Sequence, residues 1–102
     1  GGDEQFVKQM LESFIQTTKK GLEEIKESIK AMEWGKVSEL AHKLMSPCHS
    51  LGAMNLYKLL VAIEKGAISE TDAIQIETLI ERAFKEFEVI GEHIDRHIAN
   101  MA

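Results

Sequence analysis

At 102 residues the chain has the length of one small domain, enough to bury a single core without metal or disulfide support. Hydrophobic residues make up 44% and charged residues 28%, as in ordinary globular domains, while a net charge of −5 argues against nucleic acid as the main partner because phosphate contacts need a basic surface. A lone cysteine excludes an internal disulfide and fits a reducing compartment. No apolar run approaches the roughly 18 residues of a membrane span, and no signal peptide opens the chain.

Gly1 and Gly2 read as linker, with residues 3–102 as the domain, expected to be part of a longer protein. Asp3 can cap a first helix, in which Phe6, Val7, Met10, Leu11, Phe14 and Ile15 follow helical spacing. Thr17-Thr18-Lys19-Lys20-Gly21 interrupts that pattern and predicts a bend or short turn. A second stripe follows at Leu22, Ile25, Ile29 and Met32, and Glu33-Trp34-Gly35 reads as a break. A third helix should stop near Leu51, with Gly52 in the left-handed position that ends many helices. Inside it, Pro47 removes the backbone bond to the carbonyl of Lys43, which predicts a kinked but continuous helix. A fourth helix covers roughly Ala53 to Lys65, buries Leu56, Leu59, Leu60 and Ile63, and ends at Gly66. Ser69-Glu70-Thr71-Asp72 has the form of a capping box for a last helix, whose stripe runs from Ile76 through Ile80, Ala83, Phe87 and Ile90 to Ile94. The expected fold class is all-α: an antiparallel four-helix bundle with an additional N-terminal helix.

The third helix says most about function. Val37, Ala41, Leu44, Cys48 and Leu51 share one side of it; His42 falls almost opposite, with Ser46 and His49 beside it. Such a helix presents an imidazole to water. Ala41-His42-x-Leu44, then Leu51-Gly52-Ala53, then Leu56, Leu60 and Glu64 resembles a histidine-containing phosphotransfer (HPt) domain of a multistep phosphorelay. Phe14, Leu22, the stretch 31–34, Val37 and Ala41 also sit where that family has similar residues.

The resemblance implies that His42 is the phosphoacceptor, taking a phosphoryl group from a receiver-domain aspartate and passing it to another receiver. It implies no cofactor of the chain's own, since the receiver brings Mg²⁺, a lysine and the aspartate; hence no autonomous catalysis. The expected setting is cytoplasmic, as a module of a bacterial hybrid sensor kinase that is itself anchored in a membrane, or as a free shuttle, with the isolated domain monomeric and without membrane contact. Lys43, Met45, Ser46 and His49 are the expected docking residues. Two positions depart from the family, which commonly has lysine and then glycine where this chain has Met45 and Ser46. Serine keeps the approach open, but the lysine's charge is lost. Lys43 does not replace it, because it projects about 100° to one side of His42 and Met45 about 60° to the other. The loss sustains a rival reading: a non-catalytic helical module that docks a receiver or other signalling partner without being phosphorylated.

His93 and His97 have the i, i+4 spacing that metals use on helices, but no third ligand accompanies them. They read as half-buried packing residues, with no metal expected. Cys48, on the apolar side, reads as a small core residue.

Overall fold

The computed structural model describes residues 2–69 and 72–101. Among them the chain forms four α-helices: α1 (Gly2–Lys30), α2 (Trp34–Ser50), α3 (Met54–Ile68) and α4 (Ala73–Ala99).

α1 is one helix of 29 residues, and the segment expected as an additional N-terminal helix is its first half. The row Leu11, Phe14, Thr18, Leu22, Ile25, Ile29 is buried and keeps helical spacing straight through the expected bend. The apolar pattern lapses there only because a threonine and a glycine occupy inward positions. Thr18 is wholly buried. At Gly21 the Leu44 side chain of α2 fills the space a side chain would take: a Cβ there would lie 2.7 Å from Leu44 Cδ1, so any larger residue would push Leu44 away. Asp3 lies inside the first turn rather than capping it, where its charge still favours the positive end of the helix.

α1 ends by a left-handed residue at Met32 (φ 58°), with the Glu33 amide donating to the Ser28 carbonyl at 2.9 Å. Met32 is therefore turned out of the stripe it was expected to join and is 66% exposed. α2 closes in the same way at Gly52 (φ 74°), where the Ala53 amide donates to the Cys48 carbonyl at 2.9 Å. α2 is continuous through Pro47. α3 runs past the expected stop: Gly66 is helical and lies against Ile76, and the helix ends at Ile68, with the Ser69 hydroxyl donating to the Lys65 carbonyl. α4 is capped by Asp72, whose carboxylate accepts from the Ile74 amide at 3.0 Å. The expected capping box gives way to these two separate caps; its middle residues, Glu70 and Thr71, lie outside the described residues.

Each helix packs against its neighbours in sequence, and α1 closes the ring on α4. Leu22, Ile25, Val37, Leu56, Leu60, Ile63 and Ile76 are fully buried at the centre. Each such side chain contributes about 1.5–3 kcal/mol by leaving water. The turn between α2 and α3 meets α1 at Leu11 and Phe14 and α4 at Ile90 and Ile94, around a groove of about 300 Å³. The ends of α1 and α4 project beyond that turn. This is why Phe6 (67%) and Met10 (41%), expected inside, are exposed.

Candidate functional site

α2 presents His42 from its middle. Ala41 and Leu44 are buried on the inner face, which holds the helix down and leaves the imidazole outside, 71% exposed. Its Nδ1 lies 2.7 Å from Oε2 of Glu64 on α3, a carboxylate only 20% exposed. An ionised carboxylate can only accept, so in the neutral ring Nδ1 carries the proton and Nε2 carries the lone pair. A neutral imidazole with its second nitrogen free is a nucleophile whose tautomer and orientation are set before any partner arrives.

A second pair stands seven residues further along both antiparallel helices. His49 meets Tyr57 edge to face, with ring centroids 5.4 Å apart. The α2–α3 seam thus carries His42 with Glu64, and His49 with Tyr57, one above the other. Glu64 belongs to the sequence motif but has no role assigned from it, and Tyr57 escapes notice altogether. The available signal is spacing: 57 and 64 on α3 repeat the seven-residue interval of 42 and 49 on α2, which puts both pairs on one face once the helices are antiparallel.

The other expected docking residues are spread about this centre. Ser46 is exposed one turn below His42. Lys43 is exposed and turned to Glu39, with Nζ 3.4 Å from its carboxylate. Met45 is half-buried and packs against the core, so it belongs partly to the bundle rather than wholly to the open face. Cys48 is fully buried, and burial pushes its thiol up to about 11. It is an inert core residue.

His93 and His97 are both exposed, on the rim of the groove at the α2–α3 turn. The half-buried packing expected of them fails because α3 and its turn do not extend far enough to cover that end of α4. Among the described residues no group of three or more His, Cys, Asp or Glu could hold a metal ion, and no helix is long and apolar enough to cross a membrane.

No curated protein and no solved structure matches the chain. The family model described as "Hpt domain" does match, over residues 9–96. That span takes in the His42–Glu64 pair and most of all four helices. Hpt domains interact with receiver domains, and the family implies phosphotransfer in phosphorelay signalling. An exposed imidazole on a four-helix scaffold and the family match agree: the chain belongs to the Hpt domain family.

Proposed function

We propose that the protein is a phosphorelay intermediate with His42 as phosphoacceptor. A single observation carries this: the 2.7 Å bond from His42 Nδ1 to Glu64, which leaves Nε2 free on an exposed ring. In the forward step the Nε2 lone pair attacks the phosphorus of a receiver's aspartyl phosphate. The N–P bond forms, the P–O bond breaks, and the aspartate carboxylate keeps the electron pair. The phosphorylated ring is an imidazolium whose positive charge faces Glu64 through the retained Nδ1–H. The reverse step hands the group to a receiver aspartate.

Phosphoryl transfer needs positioning and charge neutralisation more than covalent machinery. This chain supplies the nucleophile and its orientation; Mg²⁺ and a lysine come from the receiver. With Met45 where the family commonly has lysine, and Lys43 turned to Glu39, the receiver also carries most of the neutralisation of the phosphoryl oxygens.

The test uses a phosphorylated receiver with Mg²⁺. Label is expected on the chain in acid-labile form, lost in His42→Gln with the helical circular dichroism intact, and kept in His49→Gln. Label that persists in His42→Gln and disappears in His49→Gln would assign the wrong histidine. Tight receiver binding with no label on either would favour a docking module that is not phosphorylated.

A further inference from the structure

The α3–α4 side of the bundle carries a groove of about 470 Å³ whose lining includes neither His42 nor Glu64. Its floor is aliphatic: Leu59 and Ala62 from α3, Leu79 from α4. Its rim is cationic, with Lys58 on α3 and Arg82 and Lys85 on α4, against one carboxylate, Glu86. The contact of Gly66 with Ile76 sets the antiparallel register, and counting equal steps from it along both helices brings Lys58 level with Arg82 and Lys85. Cations therefore face each other across the seam. None of the three takes part in an ion pair among the described residues. Like charges set opposite one another repel, the more conspicuously in a chain of net charge −5, and a bound anion relieves that repulsion.

We propose that this groove docks an acidic amphipathic helix of a partner protein. The seam between two antiparallel helices is the natural seat for a third. Apolar side chains of the incoming helix meet the Leu59–Ala62–Leu79 floor, and its flanking carboxylates meet Lys58, Arg82 and Lys85. A free inorganic anion would leave the aliphatic floor uncovered. A nucleic acid would be repelled by the acidic remainder of the surface. The groove opens on the α3–α4 side and His42 on the α2–α3 side, so both can be occupied at once.

The test titrates the whole chain, followed by amide NMR shifts, with a synthetic helical peptide of about 14 residues bearing leucines on one face and glutamates beside them. Saturable shifts at Leu59, Ala62 and Leu79 are expected, weakening with salt. Binding should fall roughly tenfold in Lys58→Glu/Arg82→Glu, both exposed positions where the fold is kept. The same peptide with lysines in place of glutamates should not bind. Absent shifts, shifts spread over the lysines of α1 such as Lys19 and Lys20, or unchanged binding in the double variant would each overturn the proposal. Loss of phosphoryl acceptance by His42 in the double variant would also overturn it, by making the groove part of the receiver's footprint. The peptide titration does not involve His42, so its failure is separable from failure of the phosphotransfer reading.

Discussion

Glu64 should control how fast His42 exchanges a phosphoryl group, and the structure bounds the effect. In Glu64→Ala the imidazole loses its acceptor, so the ring can swing and both neutral tautomers are populated, only one of which has its lone pair on Nε2. A hydrogen bond to a charged group contributes about 1.5–3 kcal/mol. Water competes here, because the ring is 71% exposed and the carboxylate 20%, which reduces the net to about 1 kcal/mol. That corresponds to roughly a fivefold slower transfer. Glu64→Gln keeps an amide oxygen to accept from Nδ1–H but loses the charge facing the imidazolium, so a fall of only about twofold is expected. Rapid-quench transfer from a labelled receiver, at saturating receiver and with Mg²⁺, reads the step without contributions from docking. Wild-type rates in Glu64→Ala would refute the orienting role. A glutamine variant as slow as the alanine variant would show that charge, not orientation, is what Glu64 supplies.

Three further outcomes are expected from the packing. Thr18→Val removes a wholly buried hydroxyl that has no partner among the described residues while keeping its shape, so stability should rise by about 1 kcal/mol; a fall in the urea midpoint would mean the hydroxyl is bonded after all. Met32→Gly relieves a left-handed residue that is 66% exposed and should raise stability by about 0.5–1 kcal/mol, measured the same way. Met45→Ala uncovers part of the core and should lower stability by about 1 kcal/mol, or roughly 4–8 °C in unfolding midpoint; a variant of unchanged midpoint with weakened receiver binding would return Met45 to the docking face.

The helical class and the outward face of α2 follow from spacing alone, because buried positions on α2 are nearly all apolar and periodic. α1 shows where that signal gives out. Thr18 and Gly21 occupy inward positions for reasons of shape: one is enclosed, the other lets Leu44 approach. To a pattern of apolar residues both look like an interruption. The projecting ends of α1 and α4 mislead in the opposite direction, since apolar spacing at Phe6 and Met10 continues past the point where the shorter helices stop covering it. The outward placement of His42 is legible from the spacing of α2, whereas the bond to Glu64 depends on the register between two helices, which no single helix's sequence contains.

The absence of a side chain at residue 21 has a consequence on the far side of α2. Leu44 lies against Gly21 and is only two residues from His42, so the inner contact and the exposed imidazole belong to the same stretch of helix. Leu44 is itself 5% exposed, with little room to turn aside. A methyl group at residue 21 would therefore displace the Leu44 side chain first, and what that side chain cannot yield would pass into α2 as a shift of tenths of an ångström, while Glu64 stays with α3. The 2.7 Å bond between the two helices would take up that shift, by lengthening toward about 3 Å or by turning the ring with it. The alignment of the His42 ring is thus linked to a residue of α1 on the opposite side of α2, so in the proposed relay a substitution at residue 21 changes the site without altering any residue of the exposed face.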